Sequence, residues 1–205
     1  MANESHIEAD LVIPVPDSGV PAAIGYAEAS DTPFELGIIR NHYVGRTFIE
    51  PTQTIRAFSV KLKHNANRIL VDKKRVILID DSIVRGTTSI KIVQMMREAG
   101  ATEVHMRIAA PPIRHPDFYG IDTPVQDQLL AANSSLEEMC DFIGADSLAF
   151  LTVDGLYKAM GHKNGRDNDN PAYTDHCFTG DYPTQLQDQK NDEKIQQLSL
   201  LSERR

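Results

Sequence analysis

The sequence has little cysteine, no long apolar run and no excess of positive charge. Its two cysteines, Cys140 and Cys177, are too few for a disulfide framework, which favours a reducing compartment and predicts a cytoplasmic protein. No apolar run approaches the roughly 20 residues that a membrane helix needs, and the segment from Met1 to His6 lacks the layout of a secretory signal. We therefore expect no membrane partner. A formal net charge of −8 disfavours a nucleic-acid partner.

The composition is otherwise that of a globular protein. Hydrophobic residues make up 41% of the chain and charged residues 24%. With 205 residues, the chain is long enough for one domain of ordinary size and an additional segment. From Gly161 onward the composition shifts to Asn, Asp, Gly and Gln, so we predict a domain over 1–160 and a polar linker and tail over 161–205. Within that tail, Ala172 to Pro183 is apolar enough to dock, and Asn191 to Arg205 has the pattern of a marginal helix.

One stretch joins a strand, two acids, a glycine turn and a helix. Val76 to Ile79 is a continuous apolar run, typical of a strand that is covered on both faces. Asp80 and Asp81 follow where this strand would emerge. The turn Arg85 to Ser89 and a helix over Ile90 to Glu98 come next. This order predicts a helix N-terminus whose free N–H groups face an anion.

The residue types at this turn suit a phosphosugar. Gly86 allows close approach of the backbone, and the three hydroxyl residues after it can donate hydrogen bonds to phosphate oxygens. The two aspartates suit ribose hydroxyls or a hard cation such as Mg²⁺. The alternative is a core strand whose acids merely cap the next helix. The coincidence of acids, glycine and hydroxyls at one turn favours the ligand site.

A second unit of the same kind opens the chain. Leu11 to Ile13 predicts a strand, Pro14 to Gly19 a stiff loop and Val20 to Glu28 a helix. Both loops would meet at the carboxyl edge of one parallel sheet, where α/β proteins bind ligands. Asp17 and Ser18 would then face the first site. Alternatively, Ser18 is only the N-cap of the helix.

The remaining pattern completes an α/β domain. Phe34 to Ile39 predicts a third strand, and the long basic segment 40–56 predicts either a lid over a pyrophosphate or a solvated surface loop. A strand over Glu103 to Ile108 and an irregular segment over Ala110 to Pro124 follow. A final block predicts a cover over the open end of the sheet; it comprises helices over Leu129 to Phe142 and Val153 to Met160, with a strand over Ser147 to Thr152 between them.

Several peptides of this chain resemble one family, the glutamine phosphoribosylpyrophosphate amidotransferases. The resemblance covers roughly residues 9 to 185 and is carried by the stretch Arg75 to Ser89, the loop Ile13 to Gly19, the segments Ile39 to Asn41 and Tyr43 to Ile49, and the peptides Tyr119 to Asp122 and Ile143 to Leu148. It implies a type I phosphoribosyltransferase fold, with an open, mainly parallel sheet flanked by helices.

The resemblance also implies an activity. The family are pentosyltransferases, a kind of glycosyltransferase, that convert phosphoribosyl pyrophosphate (PRPP), glutamine and water to 5-phosphoribosylamine, pyrophosphate and glutamate. This is the first step of de novo purine synthesis. Ammonia from glutamine is the nucleophile, purine nucleotides are feedback inhibitors, and the enzymes form homo-oligomers.

By the same resemblance, particular residues acquire roles. The Mg²⁺ ligands would be Ser18, Asp80 and Asp81, and the two aspartates together with Arg46 would be catalytic. The PRPP-binding residues would be Asp17, Ser18 and Gly19 around the pyrophosphate, Asp80 and Asp81 at the ribose, and Ser82, Arg85, Gly86, Thr87, Thr88 and Ser89 around the 5′-phosphate. The segment Tyr43 to Arg56 would be the lid, with Tyr43 on PRPP.

The chain departs from the family in two ways. The family's N-terminal glutaminase half, whose nucleophile is the cysteine at the mature N-terminus, is missing, because the chain opens Met-Ala-Asn. We therefore expect a fragment, a truncated gene product or a subunit that needs a partner, and we expect this chain alone to use ammonia but not glutamine. Some members bind an iron–sulfur cluster through four cysteines, but Asp117 stands at one of those positions and only Cys177 remains of a C-x-x-C pair, so we predict no cluster. His176 beside Cys177 lacks further ligands at zinc spacing.

Two other functions stay open. A salvage phosphoribosyltransferase would commonly carry an acid beside the base where this chain has Val84 and Arg85. A non-catalytic sensor of PRPP or nucleotides would keep the fold and lose the chemistry.

Overall fold

A computed structural model of the chain describes residues 1–41 and 64–185. Tyr43, Arg46 and most of the predicted lid lie outside the described residues, and so does the predicted helix over Asn191 to Arg205. Among the described residues, no helix combines the length and the apolar character that crossing a bilayer requires.

The centre of the molecule is a four-stranded parallel sheet. Its strands are β1 (Leu11–Pro14), β4 (Arg75–Asp80), β5 (Glu103–Ile108) and β6 (Ser147–Phe150), in the order β1-β4-β5-β6. All three pairings are parallel. The continuous apolar runs predicted this sheet, because buried parallel strands have no polar face. The prediction of an open, mainly parallel sheet is confirmed.

Helices cover both faces of this sheet. They are α1 (Ala2–Ser5), α2 (Val20–Ser30), α3 (Arg68–Val71), α4 (Thr87–Glu98), α5 (Leu130–Asn133), α6 (Leu136–Ile143), α7 (Val153–Ala159) and α8 (His176–Thr179). On one face Val12, Ile77 and Ile79 pack with α1 and α2. The alternate strand residues on the other face pack with α4 and α6. A sheet buried on both sides holds the strand ends, and hence the loops that follow them, at fixed positions.

The predicted third strand over Phe34 to Ile39 is wrong as one element. Phe34 forms an isolated parallel bridge with Val12 at the edge of the main sheet. The chain then leaves this edge, and Ile38–Arg40 becomes β2, which pairs antiparallel with β3 (His64–Ala66) in a separate two-stranded sheet. The strand partner therefore changes within the segment, from β1 at Phe34 to β3 at Ile38.

The predicted helix over Leu129 to Phe142 is two helices. It breaks at Ser134, and Ser135 is the N-cap residue of α6. A capping box forms there, in which the Ser135 hydroxyl accepts from the Glu138 N–H and the Glu138 carboxylate accepts from the Ser135 N–H. The strand after it, β6, joins the main sheet beside β5 instead of lying over its open end.

We expect Ser135→Ala to lower the free energy of unfolding by about 1 kcal/mol, the usual cost of losing a side-chain cap. Urea unfolding followed by circular dichroism measures it. The matched control is Ser134→Ala, because Ser134 is next to the cap and outside the helix. Equal stability of the two variants would contradict the capping assignment.

Residues 161–185 pack against the irregular segment that follows β5. His176 Nε2 bonds the Asp117 carboxylate at 2.7 Å, the Tyr182 hydroxyl donates to the Pro116 carbonyl at 2.8 Å, and the Arg114 N–H donates to the Cys177 carbonyl at 2.9 Å. The predicted docking of Ala172 to Pro183 is confirmed by these contacts. The division of the chain at residue 160 stays a prediction.

Candidate functional site

A cavity of about 750 Å³ lies at the carboxyl edge of the sheet, where β1 and β4 end. Two loops line it, one after each strand. The first contributes Val15, Pro16 and Ser18, and the second contributes every residue from Asp80 to Ser89. The expected convergence of the two strand–loop–helix units is therefore present, since Ser18 and Thr87 face one space.

The first loop is pressed onto the end of β4. The Val15 N–H donates to the Ile79 carbonyl at 2.8 Å, and the Gly19 N–H donates to the Val15 carbonyl at 3.0 Å. A Cβ atom on Gly19 would lie 2.3 Å from the Ile79 carbonyl oxygen and 2.8 Å from that of Val15. Only glycine therefore lets the loop pass this close to the strand, and this contact places Ser18 at the cavity.

The two acids at the end of β4 differ in environment. Asp80 is buried, whereas Asp81 is exposed. The Asp81 N–H donates to Asp80 Oδ1 at 2.9 Å, and the Ser82 N–H donates to Asp81 Oδ1 at 2.8 Å. Burial, followed by the neighbouring Asp81, raises the pKa of Asp80 from 3.8 to about 7. Asp80 therefore brings to the cavity a carboxyl group that titrates near neutral pH.

The second loop ends in the N-terminus of α4. Gly86 precedes the helix with φ of 74°, in the left-handed region that favours glycine, and no described side chain caps the first turn. The N–H groups of Thr87, Thr88 and Ser89 are thus free for a ligand, and the helix dipole adds positive potential there. A Cβ atom on Gly86 would lie 2.7 Å from Leu130 Cδ2, so α5 holds the turn in place.

Each of the two loops has an arginine beside it. Arg85, in the second loop, donates through Nε and Nη2 to Gln128 Oε1 at 3.2 and 2.9 Å. Arg40, at the end of β2, lines the cavity and forms an ion pair with Asp17 of the first loop. Both guanidinium groups are held by other side chains near a place where an anion would bind.

Most predicted site residues line this cavity. They are Ser18, Asp80, Asp81, Ser82, Arg85, Gly86, Thr87, Thr88 and Ser89. Asp17 and Gly19 belong to the first loop without lining the cavity, and Tyr43 and Arg46 lie outside the described residues. Among the lining residues that were not predicted as site residues, Arg40, His64, Asp122 and Pro124 come from outside the two loops. Arg40 and Asp122 stand within the peptides of the family resemblance, which could have identified them.

The oxygen atoms around Asp80 fit a hard cation. Asp80 and Asp81 each accept a backbone N–H with Oδ1, and both residues line the cavity. Ser18 lines the same cavity. Carboxylate and hydroxyl oxygens are the donors that Mg²⁺ prefers, so the residues present fit this ion.

A second group of ligand-type side chains lies away from the cavity. Ligand atoms of Asp117, His176 and Cys177 all lie within 4.8 Å of one another. Asp117 is already satisfied, because Oδ1 bonds His176 and Oδ2 accepts from the N–H groups of Tyr119 and Ile121. Burial, and then Asp117, raise the pKa of the Cys177 thiol. This arrangement favours an Asp–His pair that stabilises the fold, and the absence of an iron–sulfur cluster stays a prediction.

Comparisons with known proteins agree with this geometry. A family model for the phosphoribosyl transferase domain matches residues 2–114. The chain is 63% identical over 203 residues to an amidophosphoribosyltransferase of Rhizobium etli, a match covering 98% of this chain and 41% of that protein. It is 56% identical over 186 residues to an amidophosphoribosyltransferase of Bacillus subtilis, covering 91% of this chain and 39% of the relative.

A solved structure is similar as well. The glutamine PRPP amidotransferase from B. subtilis, complexed with ADP and GMP, matches with a TM-score of 0.80 and 56% identity over 90% of this chain and 40% of that one. The chain spans about two fifths of the length of the relatives it matches. The family model covers more than half of the chain and includes β1, β4 and both cavity loops. The chain therefore belongs to the phosphoribosyltransferase family.

Proposed function

We propose that this chain carries the phosphoribosyl-transfer site of an amidophosphoribosyltransferase, which forms 5-phosphoribosylamine and pyrophosphate from PRPP and ammonia. The observation that carries the proposal is the meeting of the two loops, each after a parallel strand, with the buried Asp80 and the exposed Asp81 in one cavity. The identity to the Rhizobium etli relative selects this activity among those of the wider family.

The cavity offers a place for each part of PRPP. The 5′-phosphate would accept hydrogen bonds from the N–H and hydroxyl groups of Thr87, Thr88 and Ser89 at the start of α4. The pyrophosphate would lie on the first loop, and the ribose hydroxyls would reach the Asp80–Asp81 pair. Mg²⁺, held by Ser18 and these two acids, would neutralise charge on the pyrophosphate.

The reaction requires few groups on the protein. Pyrophosphate leaves C1 of the ribose with the electron pair of the C1–O bond, and the lone pair of ammonia forms the new C–N bond. The resulting ammonium loses one proton to solvent. Preorganised positive charge around the departing pyrophosphate supplies the stabilisation, because that is where negative charge develops. A neutral amine needs no strong base, and Arg46 and Tyr43 stay proposed residues of the segment outside the described part.

The nitrogen source tests the proposal. We expect the 205-residue chain to form 5-phosphoribosylamine from PRPP, Mg²⁺ and ammonia, and to form none with glutamine, because it spans only about two fifths of the length of its glutamine-using relatives. Pyrophosphate release, with ammonia added at increasing pH, measures the reaction. Glutamine-dependent turnover by the purified chain would contradict the expectation that glutamine is not used.

The same assay separates the alternatives. Pyrophosphate release with a purine or pyrimidine base, and not with ammonia, would indicate a salvage phosphoribosyltransferase. Binding of PRPP without release under any condition would indicate a sensor. We favour catalysis because the acids and both anion-binding loops are present together.

Purine nucleotides are the proposed inhibitors. The B. subtilis structure was determined with ADP and GMP. A nucleotide carries a 5′-phosphate on a ribose, so it would compete with PRPP for the start of α4. We also propose a homo-oligomer in the cytoplasm, where the free thiols of Cys140 and Cys177 would persist.

A further inference from the structure

Arg40 is held beside the first loop by a contact that is easy to exchange. Its Nη1 atom bonds the carboxylate of Asp17, and its Nε atom is buried without a hydrogen-bond partner among the described residues. The side chain of Asp17 is 57% exposed, and that of Arg40 is 32% exposed. An exposed ion pair of this kind contributes at most about 1 kcal/mol, so an anion of higher charge would displace the carboxylate.

The position of Arg40 selects one part of the substrate. Arg40 contacts the loop that includes Ser18, whereas Arg85 belongs to the loop at the start of α4. Each anion-binding loop therefore has its own guanidinium. A guanidinium presents its donors as a planar fork that matches two phosphate oxygens. Asp17 keeps this fork at the cavity while no phosphate is present.

We propose that Arg40 binds the pyrophosphate group of PRPP, and that Asp17 is its stand-in partner, which it exchanges for the pyrophosphate when substrate arrives. This inference rests on the proposed function, because it assigns a residue to one end of the proposed substrate. It also explains how an acid can lie in a loop that binds an anion. The carboxylate turns away from the ligand once its arginine has moved.

Calorimetric titration of inorganic pyrophosphate with Mg²⁺, and separately of ribose 5-phosphate, tests the inference without turnover. For Arg40→Gln we expect binding of pyrophosphate to weaken by about tenfold or more, the loss of a charged hydrogen bond, and binding of ribose 5-phosphate to change by less than about twofold. Arg40→Lys keeps the charge but loses the planar pair of donors. Its affinity for pyrophosphate is expected to lie between that of the unaltered chain and that of Arg40→Gln.

Arg75→Gln is the matched control. Arg75 pairs with Asp10 at the opposite edge of the sheet, and the two side chains are 40% and 37% exposed. The substitution Arg75→Gln removes the same positive charge from the chain as Arg40→Gln does. It is expected to change neither affinity. If Arg40→Gln weakens both ligands equally, or weakens neither, the assignment is overturned.

Asp17→Asn tests the stand-in role independently. It frees the guanidinium, so pyrophosphate is expected to bind at least as tightly as to the unaltered chain. If Asp17→Asn weakened pyrophosphate binding as much as Arg40→Gln does, the proposed exchange of Asp17 for pyrophosphate would be overturned. If the unaltered chain bound ribose 5-phosphate and pyrophosphate while Arg40→Gln behaved like it, only this inference would fail. If the unaltered chain bound neither, the proposed function would fail with it.

Discussion

Replacing Asp80 by Asn is expected to lower the rate of ammonia-dependent 5-phosphoribosylamine formation by about a hundredfold or more, and to raise the stability of the fold at pH 8. The rate falls because the proposed cation loses a carboxylate and with it several kcal/mol of charge stabilisation. Steady-state pyrophosphate release and urea unfolding of the same preparation measure the two effects. Asp81→Asn should reduce the rate without the gain in stability, because Asp81 is exposed.

The gain in stability has a defined pH dependence. The pKa of Asp80 is raised from 3.8 to about 7, mainly by burial. Between these values the folded chain holds a proton that the unfolded chain releases, so the stability from protonated Asp80 is complete below 3.8 and is lost as pH rises through about 7. Asp80→Asn keeps the neutral form at every pH, so its advantage appears above about pH 4 and levels off above pH 7, at up to about 4 kcal/mol. A variant less stable than the original at pH 8 would contradict the burial argument.

Ligand binding should follow the opposite course. The carboxylate form of Asp80 is the one that can bind a cation, and it is populated as pH rises through about 7. Mg²⁺-dependent affinity for PRPP should therefore increase between pH 6 and pH 8, and this increase should be absent in Asp80→Asn.

Replacing Gly19 by Ala is expected to destabilise the chain by about 3 kcal/mol or more and to abolish binding of pyrophosphate. The added methyl group would overlap two backbone carbonyl oxygens, those of Ile79 and Val15, and neither can move without disturbing β4 or the first loop. Overpacking against fixed atoms has costs of this order. Thermal unfolding and calorimetric titration of pyrophosphate measure the two effects.

Gly25→Ala is the control for that variant. Gly25 lies in α2, directly after the first loop, and a Cβ atom there would meet nothing within 4 Å. Alanine is a better helix former, so Gly25→Ala should leave stability unchanged or raise it by about 0.5–1 kcal/mol. Similar behaviour of the two variants would show that the close approach of the first loop to β4 is not required.

Local patterns in the sequence predicted the parts of the fold that depend on neighbours along the chain. The apolar run before Asp80 and the glycine turn after it specified β4, the second loop and α4, although α4 begins at Thr87, three residues before the predicted start. The capping box at Ser135 and Glu138 was visible as well. It was missed because apolar residues continue at helical spacing across the break.

Pairings between distant segments could not be predicted in this way. Arg40 reaches the cavity because β2 pairs with β3, and no local pattern indicates that Arg40 lies opposite His64. Asp122 reaches it from a segment without regular structure. Asp117 and His176 are 59 residues apart, and each is an ordinary polar residue until the fold brings them together.

The contact between Asp117 and His176 has a practical consequence for shortening the protein. The segment that Asp117 anchors continues to Asp122 and Pro124, which form one wall of the cavity, and the hydroxyl of Tyr119 in the same segment lies 2.8 Å from that of Thr184. Ending an expressed chain at residue 160 would remove both anchors at once. The shortest version worth purifying for ligand work therefore extends to at least residue 185.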